Sequence, residues 1–171
     1  MAGFAHEIKW SIGGVTQLRR RLHGLALSLS DFTEPLRQVG AQVIYPEIVH
    51  QFRRQGQPRW QSLQERYAAR KRRKYGDKPI LQATGALMAS LTDPQAAGAI
   101  YELDPLKLTI GTSLTTPGGK WNLGLIHQEG AERASIPARP MLRLRPSAQT
   151  RAVGIFHRWF LGQGKEHGVG H

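Results

Sequence analysis

The chain has 171 residues, 24 Lys+Arg against 12 Asp+Glu, a formal net charge of +12, no cysteine and a hydrophobic fraction of 40%. That length fits one domain, and that hydrophobic fraction supports a packed core. The missing cysteines exclude disulfide scaffolds, thiol catalysis and Cys-ligated metal sites, and no apolar run approaches the ~20 residues of a membrane-spanning helix.

Alternation of Phe4, Ile8, Trp10 and Ile12 before Gly13-Gly14 predicts a short strand and a turn over residues 1–14. Leu18, Leu22, Leu25 and Leu29 then recur at helical spacing, with Arg19, Arg20 and Arg21 on other faces, and predict a helix over residues 15–29. Asp31-Phe32-Thr33-Glu34 has capping-box spacing and opens a second helix, Thr33 to Arg54, with Leu36, Val39, Val43 and Phe52 inward. Pro46 lacks an N–H and clashes with the preceding turn, which predicts a kink or break near Tyr45. Gly56-Gln57-Pro58 ends this element, Ser62 to Glu65 repeats the capping-box spacing ahead of a short helix, and Gly76 and Pro79 close that segment.

Residues 80–91 read as helical, starting as late as Thr84. Period-2 runs at 99–103 and 106–111, split by Asp104-Pro105, predict an antiparallel hairpin. A Gly/Pro loop at 115–120 precedes a short helix, Asn122 to Glu129, with Gly130 as a left-handed cap. Residues 131–140 form a proline-punctuated loop, and 141–144 read as another strand. Ser147 caps a final helix with Val153, Phe156, Trp159 and Phe160 on its apolar side. Glycine-rich residues 162–171 read as a flexible tail in which His167 and His171 have no specific role. The sum is a single α+β domain over 1–161: N-terminal helices and a C-terminal helix packed on a small antiparallel sheet, with an extended basic loop.

Two-thirds of the net charge lies between Gln51 and Ile80, where ten basic residues meet only Glu65 and Asp77. Arg70-Lys71-Arg72-Arg73-Lys74 is a run of five cations, and Arg66 and Lys78 flank it. Like charges at this density repel one another and are costly to bury, so the run is expected on a solvated surface or against an anionic partner. Tyr67 and Tyr75 are too few for a base-stacking platform, so any contact with DNA would be to phosphates.

The residues for catalysis are missing. Gly118-Gly119-Lys120-Trp121 fails as a phosphate loop, because Leu114 stands where its first glycine belongs and Trp121 where Ser or Thr belongs. His127 and Glu129 have no third partner at metal-ligand spacing, and no nucleophile elbow or carboxylate dyad is present. No catalytic, metal or cofactor residues are assigned, and His127 is read as a hydrogen-bonded residue near the core.

Three ordered segments carry a resemblance. Gly56-Gln57-Pro58-Arg59-Trp60-Gln61-Ser62-Leu63 is followed by Ile80-Leu81-Gln82-Ala83-Thr84-Gly85-Ala86-Leu87. Then come Gly111-Thr112, Ile126-His127-Gln128-Glu129-Gly130 and Ile136-Pro137-Ala138-Arg139-Pro140-Met141-Leu142. Together, over roughly residues 36–160, they resemble the virion-morphogenesis or tail-completion family of tailed bacteriophages, Mu-like phages included. The resemblance implies a structural subunit of a homo-oligomeric ring, a hexamer being favoured, at the neck or tail end of the virion. It also implies neighbouring neck and tail-tube proteins as partners, assembly in the host bacterial cytoplasm, and a tail made competent to join the DNA-filled head. The alternative function is a basic nucleic-acid-binding module acting through phosphate contacts; no membrane contact is expected. Residues 66–78 are expected to project toward DNA or an acidic neighbour. Trp60, Gly85, His127, Gly130, Pro137, Arg139 and Pro140 are read as packing or interface positions. The two prolines stiffen the backbone around Arg139, which either grips a partner's carboxylate or staples its own subunit.

Overall fold

The structure is a computed structural model that describes residues 12–168, with side chains from Thr16 onward. The order of elements is α1 (Ile12–Ser28), α2 (Thr33–Val39), a π turn (Gly40–Ile44), α3 (Tyr45–Arg54), α4 (Glu65–Tyr75), α5 (Ala86–Thr92), β1 (Ala99–Asp104), β2 (Lys107–Thr112), α6 (Leu123–Glu129) and α7 (Pro146–Glu166). The expected α+β class holds. The strand expected over residues 1–14 lies mostly outside the described residues, but Gly13 and Gly14 fall inside α1 rather than in a turn.

The spine is the uninterrupted run α2–π turn–α3. Pro46 cannot donate, and just before it the helix widens so that Tyr45 N donates to Gly40 O, five residues back. The expected kink is thus absorbed as a π turn. At the start of the spine Asp31 Oδ1 accepts from Thr33 N at 2.8 Å, while Glu34 pairs with Arg37 instead of closing a capping box. That hydrogen bond holds the Asp31 carboxyl below its ordinary pKa. The spine ends at Gln55 in the left-handed conformation (φ 56°).

Two apolar clusters flank the spine. On one side Ile48 and Phe52 pack with Trp60, Leu87, Leu91 and Met141. On the other, Val39 and Val43 pack with Ala148 and Ile155 of α7. Phe52 and Trp60 meet edge to face, with ring centroids 5.7 Å apart. Phe32, at the spine's entrance, stacks in tilted contact against Phe156 and Trp159. The hairpin β1–β2 pairs antiparallel from Ala99↔Thr112 to Asp104↔Lys107, and Gly40 of the spine approaches its Leu108 and Ile110.

Several local expectations are corrected. Residues 141–144 form no strand, because the Met141 and Leu142 N–H groups donate to the Gln128 side chain rather than to a ladder. Helix α4 begins at Glu65 with Gln64 as N-cap, so Ser62 does not cap it. Helix α5 begins only at Ala86, after Gly85 at φ 80°. Pro146, whose ring presets φ, opens α7, leaving Ser147 inside the helix. Val153 and Phe160 of α7 face solvent while Ala148 and Ile155 are buried, and Leu18 and Leu22 of α1 are likewise exposed. Helix α7 continues through Glu166, past the boundary expected at residue 161. His167 is bonded to Ser28 of α1 at 2.6 Å, and a Cβ on Gly24 would collide with its ring. His171 lies outside the described residues.

Candidate functional site

Two neighbouring features gather the residues singled out from the sequence: the cationic helix α4 and a pocket beneath it. The basic segment is a helix, correcting the extended loop expected there. At 100° per residue Arg66, Arg70 and Arg73 share one outer face with Lys74 beside them, and all four are exposed. Arg70 lies over the Tyr67 ring and Lys74 over the Tyr75 ring, with the charges 5.3 and 5.1 Å from the ring centroids. Arg72 faces another way, 3.9 Å from Asp77 in a solvated pair.

Lys71 breaks the pattern. It is only 8% exposed, and its ammonium donates to the carbonyls of Lys78 and Pro79, the latter at 2.8 Å. Burial lowers its pKa. A run of five cations was expected to stay solvated as a whole. The helix instead turns its central lysine inward, where the aliphatic stem packs and neutral carbonyls meet the charge. Lys78 offers its backbone to this anchor while its own side chain stays outside.

The pocket lies between α4 and a single 3₁₀ turn, Glu132–Ala134, with a volume of about 400 Å³. Its walls include Tyr67, Lys71, Leu87, His127, Pro137 and Arg139. Arg139 is 4% exposed and directs Nε and Nη2 at the carbonyl of Gln61, 3.4 and 3.2 Å away. Of the two roles considered for this residue, the internal staple is the one observed. The backbone N–H of Arg139 also donates to His127 O. His127 Nδ1 is buried without a hydrogen-bond partner, so the hydrogen-bonded role expected for this side chain is only half met. Burial, followed by the nearby Arg139 charge, lowers the His127 pKa, and burial lowers that of Arg139.

The other motif residues frame this pocket. Trp60 is buried and donates from Nε1 to Pro140 O at 3.1 Å, joining the first motif to the last. Gly85 gives α5 its positive-φ N-cap beside the pocket residues Thr84 and Ala86. Gly130 combines φ 85° with ψ 172°, outside the left-handed helical region expected of it. A Cβ there would stand 2.8 Å from Ala138 N, so close approach of the 131–138 loop requires glycine.

Sequence reasoning missed the polar residues that stitch these pieces together. Gln51 is fully buried, donates to Arg143 O and accepts from Gln57 N. Gln55 accepts from Ile80 N at 2.6 Å, and Gln128 accepts from Met141 N and Leu142 N. Glu47, 1% exposed, receives a fork from Arg145 at 2.7 and 2.8 Å and a third bond from Arg151 at 2.7 Å. The only visible signal was a carboxylate one position before the core residue Ile48. Among the described residues no group of three His, Asp or Glu side chains could hold a metal, and no helix is long and apolar enough to cross a membrane.

A model of the phage virion morphogenesis family matches residues 14–160, most of the chain and a longer span than the motifs alone cover. No curated protein and no solved structure is detectably similar to it.

Proposed function

We propose that this chain, which belongs to the phage virion morphogenesis family and serves in building a phage particle, is a ring subunit of the virion's neck or tail end. It completes the tail and makes it competent to join the DNA-filled head. The family match is the observation that carries the reading. Unmatched surface supports the finer part: Leu18, Leu22, Leu27, Phe160 and Leu161 leave apolar area on α1 and α7 uncovered. Exposed apolar area of this kind marks contact with other subunits. Head-to-tail contacts between identical subunits close into a ring, and a six-fold ring matches tail-tube symmetry.

In this reading the outer face of α4, with Arg66, Arg70, Arg73 and Lys74, meets either the phosphates of passing DNA or an acidic surface of the adjoining ring. Sedimentation and electron microscopy of the purified chain, alone and with tail-tube subunits, test it. Closed rings are the expected result. A persistent monomer that binds duplex DNA with a steep salt slope would replace this reading with a nucleic-acid-binding module.

A further inference from the structure

The pocket beneath α4 holds charge that the subunit does not neutralise. Arg139 and Lys71 are both more than nine-tenths buried, yet their hydrogen bonds go only to the neutral carbonyls of Gln61, Lys78 and Pro79. No Asp or Glu lines the pocket, and among the described residues neither cation has a carboxylate within ion-pair distance. A guanidinium has five N–H donors and an ammonium three, so both retain donors after these bonds. His127 adds a buried ring nitrogen without a partner. The opposite walls are apolar, formed by Leu63, Leu87, Leu123 and Ile136.

This combination selects its ligand. Burying cations without an anion is unfavourable, and a carboxylate entering the pocket would form charge-assisted bonds with groups already desolvated and held in place. The apolar wall requires a hydrocarbon surface on the same ligand. A volume of about 400 Å³ sits at the small end of ligand pockets, enough for two adjacent side chains. A net charge of +12 favours acidic partners throughout. We propose that the pocket is a peptide-anchor site for a segment of a neighbouring protein in which an Asp or Glu adjoins a large apolar residue, the carboxylate meeting Arg139 and Lys71 and the apolar side chain meeting Leu87 and Ile136. This goes beyond ring assembly and does not depend on it, since a monomeric subunit would bind the same segment.

The test is an NMR titration of the full-length chain with two matched tetrapeptide sets. One carries Asp before Leu, Ile, Phe or Trp, and the other carries Asn in place of Asp. At least one Asp peptide is expected to shift amide signals of Tyr67, His127 and Ile136, with at least ten-fold tighter binding than its Asn counterpart. Ala134→Trp, at an exposed position on the rim, is expected to abolish binding and leave the fold intact. Lys71→Met is expected to reduce the Asp-over-Asn preference, with circular dichroism checking that the variant is folded. Equal binding of Asp and Asn peptides, absence of binding across both sets, or binding insensitive to Ala134→Trp would each overturn the proposal. If phenylpropanoate alone bound as tightly as the best peptide, the pocket would be a small-molecule site and the peptide assignment would fall.

Discussion

Glu47→Gln isolates the ionic hub between the spine and α7. The wild-type carboxylate is buried and held at a pKa of about 2, against an ordinary 4.5, chiefly by its hydrogen bonds from Arg145, with Arg151 adding to the effect against the cost of burial. A difference of that size corresponds to roughly 3 kcal/mol at neutral pH. Arg145 and Arg151 are themselves 34% and 47% exposed, and water screening brings the expectation down to about 2 kcal/mol. Because the folded-state pKa is depressed, this stabilisation is complete above pH 4.5 and lost as pH falls toward 2. Urea unfolding from pH 7 to pH 2 should show the wild type more stable than Glu47→Gln by about 2 kcal/mol at neutrality, with the two curves converging below pH 4.5. A constant gap down to pH 2 would refute the reasoning, since it would trace the loss to packing rather than to charge.

Phe52→Ala empties the centre of the larger cluster, where Phe52 is fully buried, and is expected to cost about 3–5 kcal/mol in urea unfolding. Gly130→Ala forces a side chain into a positive-φ position 2.8 Å from Ala138 N; a loss of at least about 2 kcal/mol is expected, readable as a fall in Tm. Neutralising Arg66, Arg70, Arg73 and Lys74 together should leave Tm nearly unchanged and impair tail completion in an in vitro head–tail joining assay; full joining activity would remove α4 from the contact surface. Lowered by burial, His127 stays neutral in the fold below the ordinary 6.5, so stability should decline as pH falls below about 6.5. His127→Asn should flatten that decline between pH 7.5 and 5.5, and an unaltered slope would count against it.

The parts legible in the sequence were those where one physical requirement dominated. Alternating residues and a two-residue break set the hairpin, and its register ends at Asp104↔Lys107 as that break requires. Helix α7 was misphased because apolar residues occupy both its faces, so periodicity could not separate buried Ile155 from exposed Val153 and Phe160. Residues 141–144 looked like a strand because Met141 is buried, but a side chain's burial does not reveal where its backbone N–H goes. At the site, the motif residues were visible through glycine, proline and tryptophan, whose conformational or packing demands are specific. Gln51, Gln55 and Gln128 were not, since an amide that bonds distant backbone carries no periodic signature. Lys71 was hidden for the opposite reason: surrounded by four other cations, it had no individual signal.

The π turn in the spine bears on which lengths of this chain can vary. Gly40–Ile44 contributes the widened turn through which Val39 and Val43 face α7 while Ile48 and Phe52 face α5 and Trp60. Removing one residue there would restore regular pitch and rotate everything beyond it by about 100°. Phe52 would leave its cluster, Glu47 would leave its two arginines, and Gln51 would lose both of its backbone partners. The exposed stretch Pro117–Lys120 has no such phase to keep, and a residue added there would shift no helix. Insertions and deletions should therefore be tolerated at that loop and rejected in the spine, which acts as the reading frame of the fold.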